Sequence, residues 1–255
     1  MANAHPIPFG RAVDVGARET SVEFKSPNRI QTNILAGWER LVINRLCRHL
    51  PSWVAPDHLT AIGVAGAVIC SLGYIGSNWR PEFLLLSSLG LVVNWFGDSL
   101  DGSLARYRKI ERPRYGYFLD HSVDAFSLLI IALGLGLSPY VSMTAALFLL
   151  VGYYLLSIHV FISSQVVREL ALTYISCGPT ELRLVTIIFN SFVYAFGPLH
   201  FAAMGMMVSV YTLLVGLEGA VFITIFMFDV CGTMTKLKHA DRSTASARRE
   251  FSVLN

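Results

Sequence analysis

The stretch that decides the fold runs Asp98-Ser99-Leu100-Asp101-Gly102-Ser103-Leu104-Ala105-Arg106, then nine residues, then Gly116-Tyr117-Phe118-Leu119-Asp120-His121-Ser122-Val123-Asp124. It sets four carboxylates inside otherwise lipid-like sequence. Asp98 and Asp101 are three residues apart and Asp120 and Asp124 four, so on two helices each pair projects from a single face. Ionised side chains at membrane depth are costly and sit in a bundle interior or a hydrated cavity, paired with one another or with an ion. Arg106 is the only base between these faces, which leaves surplus negative charge for hard cations to neutralise. The stretch therefore predicts two facing helices and a divalent-metal site between them.

Composition sets the context for those helices. Of 255 residues, 54% are hydrophobic and 15% charged, too apolar a balance for an ordinary soluble domain. The fold class predicted is all-α, a polytopic membrane bundle of six transmembrane helices preceded by an interfacial amphipathic helix. The four cysteines, Cys47, Cys70, Cys177 and Cys231, lack metal-type spacing and are expected as free thiols. A net charge of +3 gives no reason to expect nucleic-acid binding.

Outward from the motif, the divisions follow apolar length and charge. Residues 1–28 are polar and aperiodic, and read as a flexible cytosolic arm; no apolar run follows the start, so no cleaved leader is expected. Over 29–50, Ile30, Ile34, Trp38, Leu41, Val42 and Leu46 recur at helical spacing with Arg40, Arg45 and Arg48 between them. That suits a helix lying in the headgroup layer, or alternatively a soluble helix packed on the bundle. Residues 51–235 are expected as the six-helix transmembrane domain, with spans at about 59–79, from after Pro81 to Phe96 and on as a polar helix through Arg106, 116–137, 142–164, 182–201 and 204–228. Residues 236–255 read as a basic cytosolic tail. Threaded this way, Arg80 is the only one of the twenty Lys and Arg in an outer loop, which places both termini and the acids on the cytosolic side.

The motif resembles the signature of the CDP-alcohol phosphatidyltransferases, D-x-x-D-G-x-x-A-R, eight or nine residues, then G-x-x-x-D-x-x-x-D. It is matched at Asp98, Asp101, Gly102, Ala105, Arg106, Gly116, Asp120 and Asp124. The resemblance implies a membrane enzyme of phospholipid synthesis that releases CMP, acts as a homodimer and holds two divalent ions, Mg2+ or Mn2+. Asp98, Asp101 and Asp120 would be the primary ligands, and Asp124 the base that deprotonates the acceptor hydroxyl, with a second role as ligand. Gly102, Ala105, Arg106 and Gly116 would border the nucleotide. Taken alone, Gly102 and Ala105 could equally serve close helix packing, and Arg106 could be an interfacial anchor. Pro56-Asp57-His58-Leu59-Thr60 resembles the family's Pro-Asn-x-Leu-Thr, with Asp57 in place of Asn; Thr60 is then a nucleotide contact or a helix cap.

Two chemistries occur in that family. CDP-choline or CDP-ethanolamine can donate to diacylglycerol, or CDP-diacylglycerol can donate to a small alcohol such as inositol phosphate, glycerol phosphate or serine. Leu119-Asp120-His121 resembles a Phe-Asp-His of the choline and ethanolamine branch, and Gly178-Pro179-Thr180-Glu181 a Gly-Pro-x-Glu of the same branch, which favours the first. A cation transporter with midplane acids is the reading of another class, but it leaves the Gly-x-x-Ala-Arg spacing unexplained. Outside the motif, Asn94 either contacts the nucleotide or orients Asp98, His159 is expected to hydrogen-bond between helices, and Glu218 is neutral or faces the cavity.

Overall fold

A computed structural model describes residues 36–166, 179–203 and 206–253. The N-terminal arm and the start of the amphipathic helix lie outside the described residues, as do Arg168, Cys177 and Gly178. The described elements are α1 (Ala36–His49), α2 (Pro56–Gly76), α3 (Phe83–Arg108), α4 (Pro113–Gly136), α5 (Met143–Val166), α6 (Pro179–Phe196), β1 (His200–Ala203), β2 (Met206–Ser209) and α7 (Val210–Val253). Among them α2, α3, α4, α5 and α7 contain stretches long and apolar enough to cross a membrane. The protein is an all-α membrane bundle.

The bundle is built on α2, which packs against both α3 and α4. Glycine makes the α2–α3 approach possible. A Cβ at Gly66 would lie 2.8 Å from the Gly90 carbonyl oxygen, and one at Gly97 would lie 2.6 Å from Gly63 Cα, so backbone meets backbone along this seam. Small residues allow helices without a hydrophobic drive in lipid to gain dispersion contact and hydrogen bonds instead. Asn94 uses the proximity, its Nδ2 donating to the Gly63 carbonyl at 3.0 Å, and Ser87 Oγ donates to the Cys70 carbonyl at 3.1 Å.

Two helices dock on this frame through buried polar groups. Tyr74 Oη on α2 donates to Asn190 Oδ1 on α6 at 3.0 Å, and Asn190 Nδ2 donates onward to Ser88 Oγ on α3 at 3.2 Å. On α1, one oxygen of Glu39 accepts from Trp95 and Ser99 of α3 and from Thr180 of α6, at 3.1, 3.2 and 2.9 Å. Ile43 and Cys47 of α1 are buried with Val54, Leu59, Leu100 and Leu104, so this helix has one face on the bundle while Trp38 and Leu41 stay exposed. The connection from α1 to α2 is held by Arg108, whose guanidinium donates to the carbonyls of Leu50, Pro51, Ser52 and Val54.

The chain departs from its expected bounds after α6. The stretch expected as a span over 182–201 is helical only to Phe196, and the next helix begins at Val210 rather than 204. Between them β1 and β2 pair antiparallel, His200 opposite Ser209 and Ala203 opposite Met206. Gly197, at φ +73°, and Pro198 end the helix, and the apolar run beyond them carries no periodicity that separates strand from helix. The strand pair is tied to the α4–α5 connection, where Ser209 Oγ donates to the Tyr140 carbonyl at 2.6 Å. At its far end α7 runs on through the basic residues expected as a solvated tail: 44 residues reach about 66 Å at 1.5 Å each, twice a hydrocarbon core of about 30 Å. Lys236, Lys238 and Arg242 are exposed on that extension.

Candidate active site

Asp98 and Asp101 sit in the second half of α3, and Asp120 and Asp124 in the first half of α4. The antiparallel course of the two helices brings their acidic faces together. One carboxylate oxygen from each of Asp98, Asp120 and Asp124 lies within 4.8 Å of the others. Those three acids, with Asp101, line a small cavity of about 10 Å3 whose walls also include Thr60, Gly63, Asn94, Val123 and Ser127. The faces read from the three- and four-residue spacings do meet.

The fourth acid lines the same cavity and is anchored on α2. Thr60 Oγ1 on α2 donates to Asp101 Oδ2 at 2.6 Å, and the Gly102 N–H donates to Asp101 Oδ1. Thr60 is thus no helix cap. Ala55 occupies the N-cap position of α2, and its N–H is met by His58 Nδ1 at 3.2 Å. The unusual Asp57 forms an ion pair with Arg112, whose guanidinium also stands 4.3 Å above the Tyr115 ring, which pins the α3–α4 connection to the start of α2.

A cation from a later helix reaches the acids. Arg106 is exposed and donates to Ser103 on its own helix at 3.1 Å, while Arg183 Nη2 on α6 donates to Asp98 Oδ2 at 2.8 Å. Both partners of that second pair are about four-fifths buried, with side-chain exposures of 17% and 20%, so the pair is weakly screened. Gly102 has the Arg106 guanidinium as the nearest group a Cβ would meet, at 3.4 Å, and Gly116 has open space beside it. Ala105 lies between them in sequence and is half-buried.

Several polar residues have roles that spacing did not show. His121 Nδ1 is 3.2 Å from Asp120 Oδ2, and its ring packs on Tyr117 and Phe161 at 4.2 and 4.8 Å, although its position turns it off the acid face. Asn94, expected to contact the nucleotide or to orient Asp98, gives one N–H to the Gly63 carbonyl of α2 and lines the acid cavity. His159 hydrogen-bonds Ser163 within α5 at 3.4 Å and meets α7 through an edge contact with Phe226, so the expected bond between helices is an aromatic contact instead. Glu218 is half-buried on α7 and does not line the acid cavity. Ser127 was missed altogether, though a signal existed: it continues the series Asp120, Asp124, Ser127 at positions i, i+4 and i+7 of one helical face.

The donor set fits a hard divalent cation. Oxygens on opposite sides of such an ion lie about 4.2 Å apart at ligand distances near 2.1 Å, and carboxylates are the ligands such ions take. The 4.8 Å spread of the trio is close to that, and Arg183 offsets the charge of one of these carboxylates, Asp98.

Comparison with known proteins agrees with the site. The family model described as CDP-alcohol phosphatidyltransferase matches residues 53–230, which contain all four motif aspartates. Cholinephosphotransferase 1 of Danio rerio is 36% identical over 97 residues, 36% of this chain and 25% of that protein. Phosphatidylinositol phosphate synthase of Cutibacterium acnes is 36% identical over 92 residues, 36% of this chain and 42% of that protein. Cholinephosphotransferase 1 of Homo sapiens is 32% identical over 95 residues, 35% of this chain and 23% of that protein. The matched stretch thus spans less than half of each of these relatives.

Proposed function

Because the chain belongs to the CDP-alcohol phosphatidyltransferase family, we propose that it transfers a substituted phosphate from a CDP-linked donor to an acceptor hydroxyl, with release of CMP. The observation that carries this reading is the convergence of the Asp98, Asp120 and Asp124 carboxylates within 4.8 Å. Asp98, Asp101 and Asp120 bind the cation site, and Thr60 fixes Asp101 so that its carboxylate keeps one orientation. Two bound divalent ions, Mg2+ or Mn2+, would neutralise the donor diphosphate and polarise the phosphorus under attack. Gly102 and Ala105 leave the α3 backbone open to the nucleotide, and Gly116 leaves the start of α4 open to it.

Asp124 acts as general base. Its carboxylate takes the acceptor's proton while the acceptor oxygen bonds to the donor phosphorus, and the bond from that phosphorus to the bridging oxygen breaks, its electron pair leaving with CMP. Arg106, exposed beside Gly102, is placed to bind a donor phosphate, and Arg183 is a second cation that can turn from Asp98 toward one.

The donor proposed is CDP-choline or CDP-ethanolamine, and the acceptor diacylglycerol. Likeness to the two cholinephosphotransferases supports this choice, as does Leu119-Asp120-His121, where the histidine engages the Asp120 carboxylate. A second reading, CDP-diacylglycerol with a small polar alcohol, is favoured by Arg183, a cation available to a phosphorylated alcohol, and by likeness to the synthase of Cutibacterium acnes. The acids open to the cytosol, and both termini lie on that side. In support, Arg108, Lys109, Arg112 and Arg114 crowd the α3–α4 connection and Lys236, Lys238 and Arg242 the end of α7. A homodimer in the membrane belongs to the same proposal. CMP release by purified protein, measured across the three CDP donors and their acceptors with Mn2+ or Mg2+, is the test: release is expected with CDP-choline or CDP-ethanolamine plus diacylglycerol. No CMP from any pairing, in a folded sample, overturns the enzyme reading.

A further inference from the structure

Ser127 is 4% exposed, and among the described residues its hydroxyl is the one buried side-chain polar atom with no hydrogen-bond partner. Helical serines ordinarily return their hydroxyl to the carbonyl four residues earlier, as Ser88 and Ser191 do here. Ser127 does not, and it lines the same cavity as the four acids. It lies one turn beyond Asp124 on the same face of α4, about 4.5 Å further along the axis at 1.5 Å per residue, on the side away from the α3–α4 connection. Gly63 and Asn94 also line the cavity, where Asn94 gives one N–H to the Gly63 carbonyl. The Ser127 hydroxyl is therefore a neutral donor with no protein partner, set beside the acids of the site.

A buried hydroxyl without a partner is a cost to the folded state, and the natural remedy, a bond to its own helix, is not taken. A neutral donor is poorly suited to the diphosphate, which the charged end of the cavity attracts. It does suit an oxygen of an uncharged alcohol placed beside Asp124. Resting on the function proposed above, we infer that Ser127 binds the acceptor, donating its hydroxyl proton to an oxygen next to the acceptor's reacting hydroxyl and so holding that hydroxyl toward Asp124. On diacylglycerol that oxygen is the neighbouring ester, reached from the membrane side; on a small polyol it is the adjacent hydroxyl.

The test is steady-state kinetics of Ser127→Ala and Ser127→Thr with the donor and acceptor that the wild type turns over. Ser127→Ala is expected to raise the KM for the acceptor about three- to tenfold, the range for one lost hydrogen bond, with donor KM and Mn2+-dependent CMP binding unchanged. Ser127→Thr, which keeps the hydroxyl, should restore most of the acceptor KM. Thermal stability of Ser127→Ala should equal or exceed that of the wild type, because no protein bond is lost. An unchanged acceptor KM, an equal rise in donor KM, or a drop in stability that Ser127→Thr repairs overturns the inference while leaving the proposed function standing. Absence of CMP release by the wild type itself is the separate failure of that function. The acceptor whose KM responds to Ser127→Ala tells the two arms apart: diacylglycerol under the ester arm, the small polyol under the other.

Discussion

Asp124→Asn is expected to lose about a hundred- to ten-thousandfold in turnover, the range that a positioned general base contributes. The amide keeps the shape of the side chain and one oxygen that can still meet a cation, but it cannot take the acceptor's proton. Mn2+-dependent CMP binding should therefore survive Asp124→Asn better than Asp101→Asn. Asp101 is buried, with Thr60 donating to one oxygen and the Gly102 N–H to the other. An asparagine there must turn an NH2 group toward one of two donors, which disorders the site as well as removing a charge, so CMP affinity should fall more than about tenfold. Turnover by progress curve and CMP binding by calorimetry, measured on the same preparations, separate the two. Near-normal turnover by Asp124→Asn removes it from the base role.

The largest effect on folding is expected at the α2–α3 seam. Gly97→Ala adds a methyl carbon 2.6 Å from Gly63 Cα, against backbone that has no rotamer to yield. Relief requires the helices to part, and Gly97 immediately precedes Asp98, so the acids move with it. A destabilisation of about 3 kcal/mol, the upper end for overpacking, should appear as a lowered midpoint in a thermal or detergent unfolding experiment. Activity should be lost together with it. Gly116→Ala is the control, because nothing lies within 4 Å of its missing Cβ. It should leave the midpoint unmoved or raise it slightly, as alanine in place of glycine does in a helix. A Gly97→Ala protein as stable as the wild type would mean that the two helices are not in backbone contact.

The acids could be read from sequence because their information is local. A three- or four-residue interval fixes a face whatever the rest of the chain does, and two such faces separated by a short connection must meet. The long-range pairs were not readable in that way. Nothing near Arg183 marks it as the partner of Asp98, 85 residues earlier, and nothing near Glu39 announces that Trp95, Ser99 and Thr180 will converge on it. Glycines inside apolar spans were equally silent, since composition alone does not tell a packing seam from a lipid-facing position; only the opposed backbone of α3 assigns Gly63 and Gly66 to the seam. The strands after Gly197 were lost for a different reason. A short run of Phe, Ala, Met and Val satisfies a strand and a membrane helix alike.

All of this rests on cations being gripped between α3 and α4. Titration of Mn2+ into the purified protein, with the free ion followed by its electron paramagnetic resonance signal in the presence of CMP, addresses that directly. The account predicts saturable binding of two ions per chain in the wild type, weakened by Asp98→Asn and by Asp120→Asn. Mn2+ affinity and stoichiometry unaltered by either substitution, in protein that remains folded, would contradict it.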